Sequence, residues 1–233
     1  DTINTGNGSI QFYNQTIKDA HKIKDGKITV REVIEESSNV GIAKIITENY
    51  NENPQKFIDG IYKIGLNKPL NIPIKGEGQP YIKNTNDKSW SGITLPWMAH
   101  GYELQITPLQ TLTFYNAIAN DGKMVKPRFI NEIRTMSKTL IEYPTEVLND
   151  HIASKETITI LQEMLEGVVL RGTAKNIKNN SYTIAGKTGT AQIAQNNAGY
   201  TKSNYKASFA GYFPASNPRF SCIVVINDPS EKS

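Results

Sequence analysis

Apolar positions recur at helical spacing in five stretches of the chain. After Thr29, Val30, Val33 and Ile34 mark one face, and Ser37 falls on it. Thr29 and Glu32 form the T-x-x-E pattern of a capping box. Ser37-Ser38-Asn39-Val40-Gly41 is poor helix material, and the spacing resumes with Val40, Ala43, Ile46 and Tyr50, so two helices are predicted to meet at a polar joint. In the third stretch Asn53 suits the cap, Pro54 the first helical position and Gly65 the stop. Thr107-Pro108 opens a fourth helix that ends at Asn120-Asp121-Gly122. Ser154 opens a fifth, with Ile158, Leu161, Leu165 and Val168 on one face and Gly172 as the stop.

The segments between follow other patterns. Residues 1–28 read as loop with one or two short strands, and residues 66–106 as an elaborated loop rich in Gly, Pro and aromatic residues. A loop of that length in a compact domain is often functional. Residues 123–134 read as a strand, as do 181–193, 205–213 and 219–227. The last two strands flank Pro214-Ala215-Ser216-Asn217-Pro218, which suits an antiparallel hairpin. Mostly helices followed by mostly strands points to an α+β fold, an antiparallel sheet with helices packed on it, and against a βαβ array. The 233 residues suffice for one such domain, spanning 1–233.

Composition narrows the function classes. Hydrophobic residues are 38% and charged residues 21%, which excludes a disordered chain. The longest apolar run, Cys222-Ile223-Val224-Val225-Ile226, is far short of a membrane span. The net charge of +4 comes from 26 basic and 22 acidic residues that interleave without a basic block, so nucleic acid is not an expected partner. The single cysteine, Cys222, lies in the apolar run and reads as a buried, inert thiol. The chain starts at Asp1 and carries no recognisable signal peptide or anchor.

Candidate chemistry centres on A-G-K-T-G-T-A-Q, residues 185–192, which two mechanisms claim. A phosphate loop needs G-x-x-x-x-G-K-[ST], but Ser181 stands at the first Gly position, and the residues around Lys187 are strand-like where a helix should begin. The other reading is acyl transfer. On a strand, Thr188 and Thr190 share a face and can hydrogen-bond a substrate carboxylate. Lys187 supplies positive charge, Gly189 lets an extended substrate lie close, and the Thr190 N–H suits an oxyanion. Ser37 and Asn39 add a second element: a hydroxyl that relays a proton and an amide that both donates and accepts. Read alone, Ser-x-Asn is also an ordinary helix cap. A nucleophile of the S-x-x-K type is the third element sought. The only match, Ser203-Asn204-Tyr205-Lys206, enters a strand pattern and reads as chance. The His100–Glu103 pair reads as structural, and neither metal nor cofactor is expected.

Four ordered stretches together resemble the transpeptidase domain of class B penicillin-binding proteins, most closely the septal, cell-division type. They are E-E-S-S-N-V-G-I-A-K (35–44), H-G-Y-E-L-Q-I-T-P-L-Q (100–110), G-K-T-G-T-A-Q (186–192) and A-S-F-A-G-Y-F-P (207–214). The resemblance runs from about residue 27 to 228. It implies a penicillin-binding protein/serine β-lactamase-like fold, a central antiparallel sheet flanked by helices plus a helical subdomain, with its N-terminal part missing. The implied activity is D,D-transpeptidation, cross-linking D-Ala-D-Ala stem peptides of peptidoglycan, with β-lactam antibiotics as mimics that trap the acyl-enzyme. Ser37 and Asn39 then match the second motif, Lys187, Thr188 and Gly189 the third, and Thr190 the carboxylate and oxyanion contact. In such proteins S-x-x-K precedes S-x-N, so the nucleophile and its Lys are expected upstream of Asp1, and this chain is expected to be soluble and inactive alone. The implied setting is the periplasmic side of the bacterial inner membrane, beside a septal glycosyltransferase and other divisome proteins. A non-catalytic penicillin-binding-like sensor or scaffold and a P-loop-like nucleotide hydrolase are the alternatives.

Overall fold

The first thirty residues are built from short strands: β1 (Thr2–Asn4), β2 (Ser9–Phe12), β3 (Gln15–Lys18) and β4 (Lys27–Thr29). β1 pairs antiparallel with β4, and β2 with β3. The structure is a computed structural model that describes residues 1–21, 23, 26–195 and 199–229, and the backbone alone for 192–195 and 199–204. Strands of three or four residues are too short to show a two-residue period, which is why this segment reads as loop. Their inward residues are nonetheless apolar: Ile17 is buried against Val40 and Ala43, and Ile28 against Ile23 and Val33.

Helix α1 (Val30–Glu35) starts as its sequence predicts. Thr29 Oγ1 accepts the Glu32 N–H, and the Glu32 carboxylate accepts the Thr29 N–H at 2.7 Å. Removing this cap by Thr29→Ala is expected to cost about 1 kcal/mol, read as a lower urea midpoint at unchanged slope. Helix α2 (Asn39–Tyr50) follows after the polar joint. Helix α3 (Pro54–Ile64) has Pro54 at its start and ends at Gly65, whose φ of +103° suits glycine, but Asn53 makes no side-chain cap.

Residues 66–106 carry more order than a loop. They hold β5 (Tyr81–Ile82), α4 (Thr94–Met98) and β6 (Leu104–Gln105), with β5 and β6 paired. Ile58, Ile82 and Met98 form their buried centre, with Trp90 and Leu104 packed around it. Helix α5 (Pro108–Ala119) opens with a second capping box, between Thr107 and Gln110. The single strand expected over 123–134 is instead β7 (Met124–Val125) and β8 (Glu132–Arg134), which pair with different partners: β7 with β10 (Val147–Asn149), and β8 with β9 (Thr139–Glu142). Pro127 separates the two strands, as a residue without an N–H does.

Helix α6 (Lys155–Leu170), capped by Ser154, leads to the main sheet. Strands β11 (Ala185–Gln195), β12 (Gly199–Phe213) and β13 (Phe220–Asn227) run antiparallel in that order. The α+β architecture thus matches the expectation. Ile118 of α5, Leu165 of α6, Ala185 and Tyr212 are buried together where helices meet sheet. Cys222 corrects the reading of a buried thiol. In β13, Phe220, Cys222, Val224 and Ile226 are exposed while Ser221, Ile223 and Val225 are partly covered, so the apolar run alternates and Cys222 falls on the outer face.

Candidate active site

The polar joint between α1 and α2 is a left-handed turn. Ser37 has φ +55°, a conformation that costs a non-glycine residue about 1–2 kcal/mol. Its N–H reaches the Ile34 carbonyl at 3.2 Å, and the Ser38 N–H reaches that of Val33 at 2.9 Å. Ser38 then caps α2: its Oγ accepts the Gly41 N–H at 2.9 Å and donates to the Asp19 carboxylate at 3.1 Å. Asp19 also accepts the Val40 N–H at 2.9 Å, a carboxylate at a helix N-terminus where the helix dipole favours it. Asn39, in the first turn of α2, donates from Nδ2 to the Lys18 carbonyl at 2.9 Å. One N–H of the amide is thereby committed to the end of β3.

Strand β11 brings the second element to the joint. Lys187 lies opposite Ala210 of β12. Its Nζ donates to Ser37 Oγ at 2.7 Å and to the Thr188 carbonyl at 3.0 Å. Residues 150 apart in sequence thus meet. Burial lowers the Lys187 pKa from its ordinary 10.5 to about 8, because the ammonium is stripped of water. Near neutral pH this amine can both give and take a proton. Between about pH 8 and 10.5 the unfolded chain binds more protons than the folded one, so Lys187 makes stability rise with pH across that window. A side-chain 15N titration by NMR is expected to show one amine with its midpoint near pH 8, lost in Lys187→Met.

The neighbouring residues complete one wall. Thr188 Oγ1 lies 2.8 Å from Thr173 Oγ1. Thr190 is exposed. A Cβ on Gly189 would sit 2.7 Å from Ser208 Oγ, so the strand is bare of side chain there. β11 is one of the two outer strands of its sheet among the described residues, and alternate N–H and C=O groups of an outer strand face an open edge. Of the residues named from sequence, the structure brings Ser37 and Lys187 into contact, sets Asn39 in the first turn of α2, and places Thr188, Gly189 and Thr190 beside Lys187 on β11. Sequence reading misses Asp19 and Thr173, whose partners are too distant in sequence for any local spacing to signal.

Three other readings can be set against the geometry. Gly186-Lys187-Thr188 runs inside β11, so no helix begins at the lysine and the phosphate-loop arrangement is not formed. Ser203 and Lys206 both lie within β12, so they are not a helical turn apart, and the Ser203 side chain lies outside the described residues. His100 Nδ1 contacts the Pro96 carbonyl at 3.0 Å and Glu103 pairs with Lys83, two separate structural roles.

This fold, with a lysine on the outer strand meeting a serine between two helices, has counterparts among known proteins. The description "Penicillin binding protein transpeptidase domain" matches residues 1–233, and the chain belongs to that family. It is 31% identical over 234 residues to penicillin-binding protein PbpB of Mycobacterium tuberculosis, covering 97% of this chain and 34% of that protein. It is 32% identical over 215 residues to peptidoglycan D,D-transpeptidase FtsI of Escherichia coli K12, covering 90% and 34%. The chain spans about a third of the length of these curated relatives. The apo crystal structure of penicillin-binding protein 3 from Mycobacterium tuberculosis superposes with a TM-score of 0.84 at 31% identity, over 96% of this chain and 51% of that one. Structures of the same protein complexed with aztreonam and with ampicillin superpose with TM-scores of 0.82 and 0.84.

Proposed function

We propose that this chain forms one wall of a peptidoglycan D,D-transpeptidase site, completed by a nucleophilic serine and its lysine from an S-x-x-K segment outside these 233 residues. The observation that carries the reading is the 2.7 Å contact from Lys187 Nζ to Ser37 Oγ. Because Lys187 donates to that oxygen, the Ser37 hydroxyl hydrogen is directed elsewhere, toward a leaving amine. In the reaction the nucleophilic serine passes its proton to the S-x-x-K lysine and attacks the penultimate D-Ala carbonyl of a stem peptide, so the Ser O–C bond forms and the C–N bond to the terminal D-Ala breaks. The departing nitrogen takes the Ser37 proton, and Lys187 replaces it. An amine of a second stem then takes the acyl group, and the proton path runs in reverse.

The other residues act on binding. Thr188 and Thr190 hydroxyls hold the terminal carboxylate, with Lys187 adding charge. The Thr190 N–H faces the developing oxyanion, and Gly189 leaves room for the peptide to lie along β11. Asn39, fixed by Lys18, presents the rest of its amide to the substrate backbone. β-Lactams enter as mimics of the dipeptide, in keeping with the aztreonam and ampicillin complexes of the mycobacterial relative. Among the described residues no helix is long and apolar enough to cross a membrane. The same reading puts the site on the periplasmic face of the inner membrane, with a septal glycosyltransferase and other divisome proteins as neighbours.

The test is intact mass after incubation with benzylpenicillin, for this chain and for the protein extended upstream through an S-x-x-K segment. An adduct on the extended form alone is the expected result. An adduct on this chain alone would move the nucleophile into it, and no adduct on either would overturn the enzyme reading.

A further inference from the structure

Two residues before Ser37, the end of α1 is gripped on three sides. The Glu35 side chain is buried, at 5% exposure, and Arg171, just past the end of α6, forks onto it: Nε to Oε2 at 3.1 Å and Nη2 to Oε1 at 2.5 Å. The Glu35 carbonyl accepts the Thr173 N–H at 3.1 Å. Thr173 in turn meets Thr188 through its hydroxyl. The sequence of α6 bends to this contact. Gly167 sits in the helix, where glycine is unfavourable, and a Cβ there would lie 2.0 Å from Glu35 Oε1. Gly172 repeats the pattern, with a Cβ that would lie 2.1 Å from the Glu35 carbonyl oxygen. A second pair between the same helices, Arg31 to Glu163 at 2.8 Å, is exposed on both sides and needs no such room.

We propose that the Glu35–Arg171 ion pair is a positioning pair that holds the end of α1 so that Ser37 meets Lys187, and through Thr173 sets Thr188 in the same wall. A surface pair adds little to structure because water screens it. Glu35 differs: it is dry, chelated by a planar fork, and joined by one short stretch of backbone to a left-handed serine that must be over-determined by its surroundings. Neither Glu35 nor Arg171 touches the reacting atoms. The pair acts through Ser37, so its loss is felt in the chemical step and not in ligand capture. The role in catalysis rests on the transpeptidase reading; the role in placing Ser37 does not.

The test separates the two. In this chain, the 15N signal of the Lys187 amine is expected to move in Arg171→Met and to stay in place in Arg31→Met. An unmoved signal in folded Arg171→Met would overturn the positioning role, whatever the enzyme does. In the protein extended through S-x-x-K, stopped-flow acylation by benzylpenicillin is split into binding and bond-forming steps. Arg171→Met is expected to slow bond formation about 10²-fold with binding nearly unchanged, since a misplacement of about 1 Å costs that much. Arg171→Lys, which keeps charge but not the fork, should fall between. If Arg171→Met does not fold, Arg171→Lys decides: bond formation equal to wild type overturns the proposal, and a partial fall at normal binding supports it. Failure of the wild type itself to acylate overturns the transpeptidase reading and leaves the amine signal to judge the pair.

Discussion

Lys187→Met is expected to slow acylation of the S-x-x-K-containing protein by benzylpenicillin about 10²–10⁴-fold, the span over which a positioned proton-transfer group contributes. On the proposed transpeptidase reading two losses combine: Ser37 loses the donor at 2.7 Å that would return its proton, and the proposed carboxylate subsite loses a positive charge. The fold should not suffer. Burial already disfavours the charged amine, as its pKa near 8 records, so below that pH a methionine of similar length removes a desolvation cost. The melting temperature at pH 7 is therefore expected to hold or rise while the rate collapses. Equal acylation rates for wild type and Lys187→Met would remove this residue from the mechanism. A parallel fall in rate and melting temperature would mark it as structural only.

Some of this site is legible in the sequence because its signals are local. The capping box at Thr29 and Glu32 needs only residues three apart, and the structure has both its hydrogen bonds. K-T-G reads as strand because β-branched and small residues surround it and no helix start follows, and β11 runs straight through it. The Ser37 joint reads as a break because Ser-Ser-Asn cannot continue a helix comfortably. What is not legible is pairing across distance. Nothing near Glu35 announces Arg171, which lies 136 residues away. Nothing near Ser38 announces Asp19, because the hairpin of β2 and β3 that delivers it is too short to carry a period. Cys222 fails for a related reason. Five consecutive apolar residues look uniformly buried, but a strand turns alternate side chains outward, and only the packing of α5 on one face decides which. Gly172 reads as a helix stop and Gly167 carries no local signal, and the purpose of both appears only with Glu35 beside them.

Those glycines give the second large effect. Gly172→Ala is expected to destabilise the protein by about 1–3 kcal/mol, as overpacking of a close contact does. The new Cβ would lie 2.1 Å from the Glu35 carbonyl oxygen, 2.7 Å from its carbonyl carbon and 3.1 Å from Val168 Cα. All three are backbone atoms, so no side chain can swing aside. The end of α1 has to retreat from α6, which stretches the Thr173 N–H bond to Glu35 and carries Ser37 away from Lys187. Loss of acylation should therefore accompany loss of stability, and the rate should stay low at temperatures where the variant is fully folded. Gly60→Ala is the matched control. Gly60 lies in α3, its Cβ would meet nothing within 4 Å, and alanine in a helix is favoured over glycine by about 0.5–1 kcal/mol. That variant should gain stability and leave acylation alone. Urea midpoints and benzylpenicillin rates of the two alanines, measured together in the S-x-x-K-containing protein, distinguish the general effect of adding a methyl group to a helical region from the specific effect of moving Glu35. If Gly172→Ala folds as stably as wild type and acylates as fast, α1 and α6 are not held as closely as described, and the path from Glu35 to Ser37 fails with it.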